Sequence, residues 1–177
     1  MAQTNLKQYT VQEKLNKMDI DIIDITATLT GDGTTGDLMF DTTEIPNCVP
    51  VNGGTAIVQS IVALVTDNTD GDGAGNGENI TGAFKLVFTS DSTSIGTVSD
   101  IIGNDTSTRA VLDGICGIVP MSIVTDHGRY GVYDKRNVGT ILKAASGTSS
   151  MYVYGITNSA NDYNGATITL RIGVIKD

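Results

Sequence analysis

The sequence predicts an all-β protein: an antiparallel β-sandwich of jelly-roll type, with an N-terminal arm and at most one short helix. Three observations carry that expectation. Apolar residues recur at every second position over long stretches from Ile20 onward. Strand-like runs follow one another at intervals of about 8 to 15 residues, the spacing of antiparallel sandwiches. Thr and Gly are plentiful, Trp is absent and Phe numbers only three, which suits many strands joined by tight turns.

Residues 1–19 read as an arm, separate from a single β-sandwich domain at 20–177. The arm is polar, contains no Gly, and holds Lys7, Lys14 and Lys17, three of the eleven basic residues. Leu6, Tyr9, Val11, Leu15 and Met18 give an irregular amphipathic pattern, so order there would come from a partner that covers them. From residue 20 the period becomes two: Ile23, Ile25, Ala27 and Leu29 share one face, Asp24, Thr26, Thr28 and Thr30 the other. Gly31-Asp32-Gly33 and Gly36-Asp37 signal turns, and Leu38-Met39-Phe40 opens a second strand. Pro46 and Pro50 bracket Cys48, which marks an edge segment or shaped loop, because proline cannot donate to a ladder.

Residues 55–67 (TAIVQSIVALVTD) form the most apolar strand candidate. Residues 82–90 (GAFKLVFTS) are expected beside it, as a hairpin whose long tip is 68–81. Residues 106–116 read as a short helix capped by Asn104 or Asp105. Further strands are expected at 117–125, 130–134, 139–145, 150–157 and 166–175. In the last of these Ile168, Leu170, Ile172 and Val174 share a face, so removal of the final ten residues should unfold the domain.

Twenty acidic residues against eleven Lys and Arg give a net charge of -9, which repels phosphate backbones and anionic membranes. Neither a nucleic acid nor a membrane is an expected partner. No apolar run approaches the roughly 20 residues that cross a bilayer, and the opening MAQTNLKQYTVQEK lacks the apolar centre of a secretory signal. Synthesis as a soluble cytoplasmic protein is the expectation. Cys48 and Cys116 lack the paired spacing of zinc or redox sites and read as buried free thiols.

Little in the sequence points to catalysis. His127 is the single histidine and sits beside Asp126 and Gly128 in a turn, with no nucleophile elbow. Asp32, Asp37, Asp41 and Glu44 are acids of the kind common on turns. No enzymatic activity and no cofactor are expected. The glycines of 71–77 lack the Lys-Ser/Thr pair and following helix of a phosphate loop. Asn68, Asp70, Asp72 and Gly73 match the first half of a calcium loop. Asn79 stands where the bidentate Glu belongs, so a solvated tip is preferred to a metal site. Tyr130, Tyr133, Tyr152, Tyr154 and Tyr163 would line a glycan groove or a subunit contact if they met on one surface, or pack between strands if they did not.

Several segments in order carry a resemblance. They are residues 54–61 (GTAIVQSI), 86–89 (LVFT), 94–97 (SIGT), 138–148 (VGTILKAASGT), 151–153 (MYV) and 168–173 (ITLRIG). Across about two-thirds of the chain this series resembles small virion structural proteins of tailed bacteriophages. The resemblance implies a capsid decoration or auxiliary protein on the head shell, made in the host cytoplasm. It also implies two partners, the major capsid protein and other copies of the chain as a homotrimer. The alternatives are a tail, collar or head-fibre protein, or a carbohydrate-binding sandwich using Tyr130 and Tyr133. The long tip at 67–81 and the basic arm depart from the family pattern. Lys7, Tyr9, Lys14 and Lys17 of the arm are the candidate partner-binding residues.

Overall fold

The computed structural model describes residues 19–29, 32–66, 82–96, 113–126, 130–158, 161–162 and 166–176. The described strands are β1 (Asp19–Thr28), β2 (Asp32–Gly33), β3 (Leu38–Ile45), β4 (Thr55–Thr66), β5 (Phe84–Thr89) and β6 (Ile115–Met121). They continue with β7 (Ile123–Asp126), β8 (Tyr130–Lys143), β9 (Met151–Thr157), β10 (Asn161–Asp162) and β11 (Thr167–Lys176). One sheet has the order β1-β11-β4-β8-β7 and the other β3-β9-β5-β6, while β10 and β2 make a two-residue ribbon.

Setting aside the short β2, β7 and β10, eight strands remain, and their antiparallel pairing is nested. β1 pairs with β11, β3 with β9, β4 with β8, and β5 with β6. First meets last, second meets seventh, and so inward, as when one long hairpin is rolled across itself. Pairings of β11 with β4 and β9 with β5 stitch the roll into two sheets. That is a jelly roll, the architecture that the alternating pattern and turn spacing imply.

The apolar alternation of β1 and β11 faces inward as expected: Ile25, Ile168, Leu170, Ile172 and Val174 are buried, and Ile23 and Ala27 pack against them. From the other sheet Met39, Phe40, Phe84, Leu86, Phe88, Val119, Met121, Met151 and Val153 close the same core. Two expectations about neighbours fail. Residues 55–67 and 82–90 do not form a hairpin, because β4 and β5 lie in different sheets. The runs at 130–134 and 139–145 are one strand, β8, interrupted by a bulge. There Asn137, Val138 and Gly139, with φ of 55° at Asn137 and 72° at Gly139, stand opposite the single residue Gln59 of β4, which is itself the extra residue against β11 and whose Nε2 donates to Asn137 Oδ1 at 3.3 Å. The bulge switches which residues face inward, from Ile61, Ala63 and Val65 to Ala56 and Val58 along β4.

The expected helix at 106–116 falls largely outside the described residues, but its end is strand: Ile115 pairs with Thr89 as β6 begins. A β-branched residue beside a long partner strand favours the ladder over a last helical turn. Asp32 and Gly33, read as part of a turn, instead pair with Asp162 and Asn161. Pro46–Pro50 is a shaped loop that carries Cys48 into the core with no exposure, whereas Cys116 is only partly buried.

The outer face of the four-stranded sheet carries its own cover. Leu38, Val87 and Tyr154 pack there under Ile95. The covering segment is tied down through Asp41, whose Oδ1 accepts from the Ile95 N–H at 3.0 Å, and through Thr42 Oγ1, which donates to the Thr93 carbonyl at 3.0 Å. Burial pushes the Tyr154 phenol up to about 12.

Candidate functional site: the outer face of the five-stranded sheet

The pairing registers assemble a surface that no single strand displays. Ile20 pairs with Ile175, Ile175 with Ile57, and Ile57 with Ile141. Directly paired residues project on the same side of a sheet, so four isoleucines from β1, β11, β4 and β8 form one row across the outer face. Ile20 is 59% exposed, Ile57 38% and Ile141 62%. Ile22, Val62 and Leu64 extend the apolar surface, at 67%, 37% and 37% exposure.

Charges on this face are arranged to cancel. Asp24 pairs across the strands with Arg171, which donates from Nε at 2.9 Å and from its terminal nitrogen at 3.0 Å. Those hydrogen bonds hold the Asp24 carboxyl below its ordinary range. Asp134 accepts from Arg136 Nε at 3.0 Å. Lys143 Nζ, at the end of β8, donates to the Gly53 carbonyl. At the rim Lys176 Nζ bonds the Asp21 carboxylate and the Asn47 carbonyl.

Most site residues read from the sequence are not among the described residues. Lys7, Tyr9, Lys14 and Lys17 lie outside the described residues, as do Asn68, Asp70 and Asp72 of the calcium reading and His127. Among the described residues no group of three or more His, Cys, Asp or Glu is placed to hold a metal ion. Asp37 is occupied locally: its Oδ2 accepts from the Thr34 N–H at 2.6 Å and from Thr34 Oγ1 at 2.8 Å.

The described tyrosines do not converge on a groove. Tyr133 has no exposure, donates from its hydroxyl to the Gly82 carbonyl at 2.9 Å, and lies edge-on to Phe84 with centroids 4.7 Å apart. Tyr154 is buried on the outer face of the other sheet with Tyr152 partly exposed beside it, and Tyr130, 49% exposed, sits at the end of the five-stranded sheet. Pairing registers, absent from a linear reading, were needed to find the isoleucine row. The available hint was Ile20 and Ile22 on the otherwise polar face of β1.

No protein-family model matches the chain, and no curated protein matches it. Among solved structures, the chain is similar to one of Desmodium yellow mottle tymovirus: 13% identity, covering 90% of this chain and 88% of that one, with a TM-score of 0.28. A likeness at that score carries no inference about what this chain does.

Proposed function

We propose that the chain is a structural component of a bacteriophage particle, a decoration protein that binds the major capsid protein and stiffens the head shell. The observation that carries the proposal is the pairing of a filled, rigid sandwich with one broad, apolar, charge-balanced sheet face that nothing among the described residues covers. Exposed apolar surface of that extent marks an interaction site.

The sequence resemblance supports the same reading. Apart from residues 94–97, its segments fall on β4, β5, β8, β9 and β11, the strands at the centre of both sheets. A shell-stiffening protein needs such a frame, because a contact transmits load only if the domain behind it does not yield. In this proposal the arm residues Lys7, Tyr9, Lys14 and Lys17 reach the capsid protein, copies meet as a homotrimer, and no catalysis or cofactor is involved.

The test is to locate the protein in imaged particles and to add purified protein to particles stripped of it. Density on the head shell, with a raised temperature of shell disruption, is expected. Absence from particles would refute the proposal, and density on a tail, collar or head fibre would replace the decoration role with one of those positions.

A further inference from the structure

The isoleucine row raises the question of what covers it. We infer that a second copy of this chain does: the outer face of β1, β11, β4 and β8 is the surface through which copies assemble. The inference deepens the proposed structural role, since it names the surface where copies meet.

Charge points to the occupant. The outer face holds two carboxylates, Asp24 and Asp134, against three cations, Arg136, Lys143 and Arg171, for a net of +1. The whole chain carries -9, so the remainder carries -10. Most approaches of one copy to another therefore bring acid against acid. An approach through this face does not, because its two acids are neutralised within the same chain. The face can meet its own counterpart with a net charge of only +1 on each side, or an acidic flank of a neighbour with attraction.

The area is sufficient. Strands lie about 4.8 Å apart and rise about 3.3 Å per residue, so four strands over the span of β1 present roughly 500 Å². Two such footprints remove about 1,000 Å², where specific interfaces begin. The contact then joins an apolar row of Ile20, Ile175, Ile57 and Ile141, near the end of the sheet where β1 and β4 begin, to a middle row in which Val62 lies among the paired Asp24, Arg171 and Asp134. The row also runs across four strands from distant parts of the chain, so it exists only in the finished fold.

The test is the mass of the purified full-length chain across a wide concentration range, beside three variants. The wild type should be an oligomer, and the combined Ile57→Lys and Ile141→Lys variant a monomer with an unchanged β-sheet spectrum. Ile141→Ala, a milder change should the lysines disturb folding, should dissociate at about tenfold higher concentration. Ile118→Lys, 55% exposed on the other sheet, should assemble as the wild type does. A wild type that stays monomeric throughout would overturn the inference, as would an oligomer indifferent to the changes at Ile57 and Ile141 or equally sensitive to Ile118→Lys. Shell binding by the monomeric variant would leave the decoration role standing, so the two ideas fail separately.

Discussion

Replacing Gly155 by Ala tests the packing of the four-stranded sheet with a single methyl group. Gly155 lies in β9, directly across the ladder from Phe40 of β3. A Cβ built there would sit against the Cε1, Cδ1 and Cζ atoms of the Phe40 ring. Gly155 is not among the residues with positive φ, so alanine meets no backbone strain. Were the site open, the change would stabilise by about 0.4–1 kcal/mol through the unfolded chain. It is closed: Phe40 is 1% exposed and cannot swing aside, and overpacking of this kind costs about 1–3 kcal/mol. The net loss is therefore about 1–2 kcal/mol, or about 2–8 °C in Tm for a domain of this size. Thermal and urea unfolding measure it. Phe40→Leu in the same chain should relieve the clash, so the double variant should lose less than the two single changes combined. A Gly155→Ala protein that melts at or above the wild type, or costs that add, would refute the geometry.

Other consequences are open to the same assays. Asp37→Ala strands the Thr34 N–H and hydroxyl beside a turn, with an expected loss of about 1–3 kcal/mol, whereas Asp37→Asn should retain most of the stability. At alkaline pH the signs run against stability: burial raises the Cys48 thiol from 9.0 to about 11 and the Tyr154 phenol from 10.0 to about 12. Each is neutral when protonated and holds its proton more tightly in the folded state. Their stabilisation is thus full below pH 9 and is lost between pH 9 and 11 for Cys48 and between 10 and 12 for Tyr154. Denaturant midpoints should drift down over that window, and much less so in a Cys48→Ala, Tyr154→Phe protein. Removing the final ten residues takes away β11 from between β1 and β4, so the truncated chain should show no cooperative unfolding transition by calorimetry.

The elements legible in the sequence were those whose local pattern and long-range role agree. β1 from Ile23 and β11 as far as Val174 alternate because one face meets the core and the other carries Thr, Asp24 and Arg171, and those stretches are readable residue by residue. The sequence shows β8 as two strands, 130–134 and 139–145, because the strand pattern breaks between them; in the fold the break at Asn137-Val138-Gly139 is a bulge, and its signal concerns parity rather than termination. The β4–β5 hairpin failed for another reason. Adjacency in sequence was taken for adjacency in a sheet, whereas a rolled hairpin sends consecutive strands to opposite layers. The candidate surface was hidden because its isoleucines lie at positions 20, 57, 141 and 175, and only the register aligns them. Tyr133 and Tyr154 illustrate the converse, since a cluster in sequence was dispersed by strand parity and by the two sheets.

The nested pairing also fixes a timetable. Asp24 waits for Arg171, a separation of 147 residues, before its strand has any neighbour. At about 5–20 residues per second of synthesis, β1 spends roughly 7–30 seconds without its ladder partner, while Ile20, Ile22 and Ile25 sit on an unprotected strand. The innermost pair, β5 with β6, is complete far sooner, since fewer residues separate its two strands. Slowing elongation between β1 and β11 prolongs the exposure of β1 and should lower the soluble yield.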